Sequence, residues 1–552
     1  MFSRLRILFK HLTFTEARLF IGSLAVFGIS AIFGGTHLFY SQTVVAPVAG
    51  GTYTEGLVGQ PIAINPLLTA SNDPDRDLIE VFYSPLSRLI ETIKEGEDHK
   101  TWSVFLKPDL RWSDGEPLTS DDLVFTIETI NDPESHSPIA PLWQGVSVER
   151  LSERETRFSL RTPYAFFETS LQNLYVVPRH IFGTIPPANL RLSNYNLEPV
   201  GSGPYRLRSF IKRKDGFITD YLTEANPNYP DGEVLIKNLA FKFFDSSENA
   251  LSAFNRREID GLGGLDYRAL QKIKISHTVA VVPMPRYYAI FLNQNAHLAL
   301  KDLAVRTALA RGADRGGVLS NVLRDNGLLM YGPLHPGIEG YVSTFGSIDR
   351  YDPEGAANIL DKAGWKLKPD GVRAKTIGGG EVELSFNLVV PDISFLNDTA
   401  AVLRDAYQRI GIRLKIESLS PAEINARSLK ERDYQMILFG NILKNTPDIF
   451  SFWHSSERFF PGLNLSLYEN RGVDTMLESV RKDFDRASRL NTLTRLQTTI
   501  HNDYPAIFLF SPSYLYVHQK DLGGFTTQFI ATPAERFREV AGWFLKTARV
   551  LR

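Results

Sequence analysis

The sequence predicts an α/β protein of several lobes built on mixed sheets, carried behind one N-terminal apolar helix. Three observations predict it. Stretches with strand alternation and stretches with helical spacing follow one another along nearly the whole chain. The 552 residues exceed what one hydrophobic core supports, and about 100–200 residues per domain gives roughly two to four lobes. An uncharged run from Leu19 to Tyr40 follows Arg4, Arg6, Lys10 and Arg18.

That run comes first. As a helix rising about 1.5 Å per residue it reaches roughly 33 Å, enough to cross a hydrocarbon core of about 30 Å. The basic flank keeps the N-terminus in the cytoplasm. The expected organisation is therefore a cytoplasmic stretch 1–18, a transmembrane anchor 19–40, a small, polar linker 41–51 and a soluble bulk outside the cell membrane. So short a cytoplasmic stretch leaves no room for an effector domain. A cleaved signal peptide is the competing reading, with Val44-Val45-Ala46 as a processing site, but the run is longer than the usual h-region of about 7–15 residues. A buried core helix would need an amphipathic stripe, and none is visible.

The soluble part opens with a strand from Thr52 to Val58 and turns at Asn65-Pro66 and Asn72-Asp73-Pro74. Helical spacing runs from Asp77 to Leu89, interrupted by Pro85. Thr101 to Leu106 and Leu110 to Trp112 read as short strands, followed by the turn Ser113 to Glu116. Thr119 or Ser120 caps a helix from Asp121 to Ile130, with acidic residues in its first turn. Thr156 to Leu160 alternates again, and Gly201 to Tyr205 is turn chemistry leading into a strand. A strand from Leu239 to Phe244, a helix from Ser246 to Phe254 and Glu258 to Gly261 make a βαβ-like unit. Tyr287 to Asn293 is a strand, Asp302 to Ala310 a helix, and Tyr351 to Gly364 a helix opened by Asp352-Pro353-Glu354. Strands at Glu381 to Val390 and Ile412 to Glu417 flank a helix from Asn397 to Ile410 that Gly411 stops. Tyr434 to Phe439 is a buried-type strand, Asp474 to Ile500 carries long helical periodicity, and Ala506 to Val517 is aromatic and strand-like.

Composition narrows the function. Hydrophobic and charged contents of 43% and 22% are ordinary for a globular protein, and the net charge of −1 points to no nucleic-acid partner. With no cysteine in the chain, disulfides, zinc–thiolate sites, thiol catalysis and cysteine lipidation are excluded. The 36 Phe and 21 Tyr suit a large core with an aromatic-lined cleft. No two of the eleven His stand three or four residues apart, so zinc-type spacing is missing. No Gly-x-Ser-x-Gly elbow and no Walker pattern occurs. Gly261-Leu262-Gly263-Gly264 lacks the third spaced glycine of a dinucleotide loop, and Gly378-Gly379-Gly380 reads as a hairpin loop. An enzyme has no residue to stand on here, and no cofactor is implied.

Several segments occur in a recognisable order. They are Ile64-Asn65-Pro66-Leu67, the block from Leu106 to Asp122 with Trp112-Ser113-Asp114-Gly115-Glu116-Pro117-Leu118-Thr119 inside it, and Gly201-Ser202-Gly203-Pro204-Tyr205. Ala225-Asn226-Pro227-Asn228-Tyr229, Glu258-Ile259-Asp260-Gly261, Leu292-Asn293, Val305-Arg306-Thr307-Ala308-Leu309 and Tyr351-Asp352-Pro353-Glu354 follow. Through them the chain, from about Gly51 to Phe525, resembles the extracellular solute-binding protein family 5, the oligopeptide-, dipeptide- and nickel-binding components of ABC importers. The resemblance implies a two-lobe periplasmic-binding-protein clamshell (type II-like). Lobe I would span 52–285 with an inserted subdomain at about 83–195, lobe II 286–505, and a return segment to lobe I with the C-terminal tail 506–552. Ligand in the cleft would favour the closed state. The Trp112 block itself reads as turn and cap chemistry.

The resemblance also implies binding positions. In peptide-binding members the loop after the strand equivalent to Tyr434–Phe439 runs Gly-Trp-x-x-Asp, its aspartate pairing with the peptide amino group. Aligned on Gly440 and Pro447, Asn441 takes the tryptophan position and Leu443 the aspartate position. Leucine supplies no anion to a buried ammonium, so either Asp448 substitutes or the ligand lacks a free amino terminus. Ser71 and Asn72 fall at the first-lobe cleft edge, and Phe508 and Phe510 on the return strand passing the cleft. The expectation is a membrane-anchored extracytoplasmic substrate-binding protein of an ABC importer. It binds peptides, hands them to a permease with its ATPase subunits, and catalyses nothing. A metal or metallophore carrier and a ligand-sensing receptor are the alternatives, an external hydrolase the least favoured.

Overall fold

The computed structural model describes residues 13–68 and 72–551, so Ser71 and the basic residues before Thr13 lie outside the described residues. The first element is a helix, Phe14–Gln42, with no buried side chain. Thr13 caps it: its N–H donates to Glu16 Oε2 at 2.8 Å. By length and composition this helix can cross a membrane. The stretch 41–51, expected as a linker, is instead half strand. Thr43–Val48 pairs antiparallel with the C-terminal strand Lys546–Leu551. The β-branched Val44 and Val45 favour extended backbone once a partner is present. Arg549 ties this ribbon to the helix, its guanidinium 4.1 Å over the Tyr40 ring and donating to Thr43 Oγ1 at 3.0 Å.

Two mixed sheets follow. The first has seven strands in the order Thr278–Val282, Tyr514–His518, Gly261–Gly263, Thr52–Val58, Asn238–Phe244, Ile218–Ala225 and Tyr205–Lys212. Its centre is the parallel βαβ-like arrangement, Asn238–Phe244 and Gly261–Gly263 flanking Thr52–Val58. The second has six strands in the order Gly327–Leu329, Ala506–Pro512, Arg286–Leu292, Met436–Ile442, Ser385–Pro391 and Arg413–Leu419. A separate four-stranded antiparallel sheet, Ile90–Glu95, Thr101–Leu106, Glu155–Leu160 and Val146–Arg150, packs with the helix Ser120–Asn131 to make a subdomain inserted into the first lobe.

Three long periodic runs are broken for local reasons. Pro85 splits the first into helices Asp73–Phe82 and Leu86–Leu89, since it offers no N–H to the ladder. The run from Asp474 to Ile500 is two helices, Arg471–Lys482 and Arg486–Asp503, because Asp485 caps the second by accepting from the Ser488 N–H at 2.7 Å. The aromatic run from Ala506 to Val517 leaves the second sheet at Pro512 and enters the first at Tyr514. The crossing therefore lies at Ser513, not ahead of Ala506. The other crossing is Pro283 to Pro285, between strands Thr278–Val282 and Arg286–Leu292. Ser511 Oγ donates to Met284 O at 3.0 Å, so the two hinge segments are bonded to each other.

The sequence block around Trp112 is architecture. Trp112 is fully buried, Gly115 takes φ +99° in the turn, and Thr119 caps the helix Ser120–Asn131 in a capping box with Asp122. Gly201 and Gly203 let a loop lie against the end of helix Asp73–Phe82. A Cβ on Gly201 would stand 1.9 Å from Phe82 O.

Candidate functional site

A cavity of about 390 Å³ lies between the lobes, within the ~300–1,000 Å³ of small-ligand sites. Each wall comes from a different part of the chain. Helix Asp73–Phe82 presents Arg76, Ile79 and Glu80, and the inserted subdomain presents Leu142, Trp143, Tyr164, Phe166 and Tyr175. The return segment presents Ala534, Glu535 and Arg538, and the second lobe reaches in with Lys444, Asn445 and Thr446.

Helix Asp73–Phe82 holds this arrangement together through two carboxylates three residues apart. Its apolar face, Leu78, Val81 and Phe82, is buried in the first-lobe core. Asp77 points to Arg536, which donates Nη1 and Nη2 to its two oxygens at 2.9 and 2.8 Å. Glu80 points to Arg538, 3.5 Å away, and Arg538 lies 3.4 Å from Glu535. The return segment is thereby docked on the helix, and one side of the cavity floor is an ion-paired cluster. Burial raises the Glu535 carboxyl. It works against the charge on Arg538, but Glu80 and its neighbours outweigh it and hold the guanidinium protonated.

The opposite wall crosses to the second lobe. Tyr164 OH donates to Asp448 Oδ2 at 2.8 Å, and Arg481 Nε donates to both Asp448 oxygens at 3.0 and 2.9 Å. The Arg481 guanidinium stacks 3.8 Å over Phe450, and the Ala165 N–H donates to Arg481 O at 2.7 Å. Phe166 of the inserted subdomain is buried in the second-lobe core. His99 and Phe484 stack across the same boundary at 3.9 Å, and Arg268 pairs with Asp398 elsewhere between the lobes. The lobes therefore meet around the cavity.

The positions expected from the sequence sit differently. Asn72 is the N-cap residue of helix Asp73–Phe82 and donates its amide to Gln60 O at 3.0 Å, outside the cavity wall. Gly440 lies in strand Met436–Ile442 against the Tyr288 ring, and Asn441 is buried, donating to Tyr287 OH at 2.9 Å. Phe508 and Phe510 are buried in the second lobe on strand Ala506–Pro512. Asp448 is engaged by Tyr164 and Arg481, so it is no spare anion. Leu443 is only 2% exposed and packs in the core, its N–H donating to Pro285 O at 2.8 Å. The next residue, Lys444, has φ +56° and lines the cavity wall. The position that meets the cavity is thus one residue beyond the one aligned.

The wall residues that sequence reading missed had a faint signal. Glu80 is the one charged residue in the run Leu78-Ile79-Glu80-Val81-Phe82, and a buried carboxylate there needs a cation. Arg538 is that cation, as Arg536, two residues before it, is for Asp77. Among the described residues, no group of three or more His, Asp or Glu side chains gathers in metal-binding reach.

The profile of bacterial extracellular solute-binding proteins, family 5, matches residues 84–458. The chain belongs to that family. Among relatives, the oligopeptide-binding protein AppA of Bacillus subtilis is 26% identical over 502 residues, covering 87% of this chain and 89% of AppA. The probable D,D-dipeptide-binding periplasmic protein DdpA of Escherichia coli is 25% identical over 450 residues, covering 79% and 81%. Among solved structures, the ABC transporter substrate-binding protein CtaP of Listeria monocytogenes shares the family 5 fold with a TM-score of 0.78 at 24% identity, over 90% of this chain and 99% of CtaP. AppA in complex with a nonapeptide superposes with a TM-score of 0.70 at 25% identity, over 91% of this chain and all of that one. The two lobes and the inserted subdomain described above are therefore the family 5 clamshell.

Proposed function

We propose that this protein is the substrate-binding component of an ABC importer that takes up peptides. It holds the peptide in the interlobe cavity and passes it to a membrane permease whose ATPase subunits drive uptake. One observation carries this reading: a cavity walled by helix Asp73–Phe82, the inserted subdomain and the return segment on one side and by Lys444 to Thr446 on the other. A ligand that touches both sides stabilises the shut form by its differential affinity for it. The likeness to AppA and DdpA along most of their lengths supports peptides as the ligand class.

The reading is of a carrier, which binds and releases its ligand unchanged. The helix Phe14–Gln42 would act as a retained anchor, placing the lobes outside the cytoplasm with the N-terminus inside. Processing after Ala46 would cut through strand Thr43–Val48 and detach the helix that Arg549 holds. A transmembrane helix is a firmer tether than a single acyl chain.

The test is mass spectrometry of what co-purifies with the full-length protein in detergent after exposure to a peptide mixture. Intact peptides eluting from denatured protein are expected. Shortened peptides in the medium would replace the carrier with a hydrolase, and an eluate free of peptide would overturn the reading.

A further inference from the structure

The cavity wall carries charge of both signs, and nearly all of it is already spoken for. Glu80 and Glu535 share Arg538. Asp448, at the second-lobe edge, is held by Arg481 and by the Tyr164 hydroxyl. Arg76 pairs with Asp73 at 3.0 Å. Lys444 differs: among the described residues, no hydrogen bond, ion pair or ring contact reaches its ammonium group.

The placement of this lysine is built, not incidental. The preceding Leu443 is anchored in the core and by its N–H to the hinge carbonyl of Pro285. The following Thr446 accepts from the Asp448 N–H at 3.2 Å, and Asp448 is fixed to Arg481. Between these anchors Lys444 adopts a left-handed backbone, φ +56°, a conformation uncommon for a residue with a Cβ. Its side chain stays exposed to the cavity, yet the surrounding wall strips enough water from it that burial lowers its pKa from the ordinary ammonium value. No protein anion compensates a cation in that position, and a bound anion would offset the cost of desolvating it.

We propose that Lys444 is the anchor for a carboxylate of the bound ligand, and that the cavity selects anionic peptides over peptides whose carboxylates are blocked. A ligand carboxylate supplies the missing counter-charge in a charge-assisted hydrogen bond. The carboxylates named above each face an arginine, Glu80 through one oxygen only. The ligand's C-terminus and an acidic side chain offer the same chemistry. This inference rests on the peptide reading and narrows it.

The experiment uses the full-length protein in detergent and four random peptide libraries: free acids, C-terminal amides, free acids lacking Asp and Glu, and amides lacking Asp and Glu. Captured peptide is quantified by mass spectrometry for the wild type, Lys444→Gln and Lys444→Arg. The library without any carboxylate is expected to be captured at least tenfold less than the unrestricted free-acid library by the wild type and by Lys444→Arg. The deficit is expected to vanish in Lys444→Gln at an unchanged melting temperature. The second and third libraries tell the C-terminus from the side chain as the source. Equal capture of all four libraries, or a deficit that persists in Lys444→Gln, overturns the inference and leaves the peptide carrier standing. Capture of none overturns the peptide reading, and this inference with it.

Discussion

Tyr164 of the inserted subdomain donates its hydroxyl to Asp448 of the second lobe at 2.8 Å, and this bond closes the chain of contacts around the cavity. Burial, followed by the Asp448 charge, pushes the Tyr164 phenol well above its usual range, so it remains a donor throughout the physiological range. A hydrogen bond to a charged group contributes about 1.5–3 kcal/mol. Here the bond exists only when the lobes meet. Tyr164→Phe is therefore expected to weaken ligand binding by roughly tenfold or more through loss of closure. The melting temperature of the ligand-free protein should hardly move. Calorimetry and small-angle scattering check the two halves of this: lower affinity, and a larger radius of gyration in the presence of ligand. Unchanged affinity would mean the contact does not contribute to closing.

Arg536 is fully buried between Glu55 and Asp77, so two carboxylates share one cation. Replacing Arg536 with Met leaves both carboxylates buried without it, a loss on the order of 3–5 kcal/mol. Urea denaturation of Arg536→Met should show that loss as a lower midpoint with little change in slope.

The same excess of negative charge makes stability depend on pH. Burial raises the Glu55 carboxyl to about 7, against the pull of Arg536, with Asp77 adding to the rise. In the unfolded chain a glutamate titrates near about 4.3. The folded state thus holds this proton more tightly. Its stabilisation is complete below about pH 4.3 and is lost as pH rises through about 7. The urea midpoint is expected to fall between about pH 5 and pH 8, and Glu55→Gln should flatten that fall. A midpoint that rises over the same interval would contradict this account.

Gly201 makes a sharper steric prediction. Its Cβ position is occupied by the backbone oxygen of Phe82, which no rotamer change can move. Overpacking costs about 1–3 kcal/mol in yielding sites and more where backbone must shift. Gly201→Ala should lower the melting temperature more than Gly216→Ala, whose Cβ meets nothing within 4 Å although its φ is +89°.

Much of this fold was legible locally, because strand and helix periods and caps are short-range properties. The helix Ser120–Asn131 with its Thr119 cap and the strands Thr52–Val58 and Thr101–Leu106 fall within a residue or so of the expectation. The breaks at Asp485 and Ser513 were not, since apolar periodicity continues through both while the chain changes direction or lobe. The cavity was least legible. Its walls come from segments as distant as Glu80 and Arg538, and no period in the sequence pairs such residues. Leu443 and Lys444 show the limit most plainly. Leu443 packs in the second-lobe core and Lys444 lines the cavity, a one-residue difference set by the tertiary packing around them, which neither residue type announces.

The ribbon beside the anchor helix gives a last prediction. Strand Thr43–Val48 pairs only with Lys546–Leu551 among the described strands, and the C-terminal strand is exposed along its length. An isolated two-stranded ribbon is marginally stable in water, so its energetic share in the body of the protein is small. Its geometric share is larger, since it carries the chain from the helix end at Gln42 to the first-lobe sheet at Thr52. Deleting residues 546–551 should therefore shift the melting temperature by no more than about 2 °C. Peptide capture should stay within twofold of wild type, because the cavity lies between the lobes. Limited proteolysis should change most: without its partner, the stretch 43–51 becomes an exposed segment and the preferred cleavage site. Resistance of that stretch in the truncated protein would show that the C-terminal strand is not what holds it.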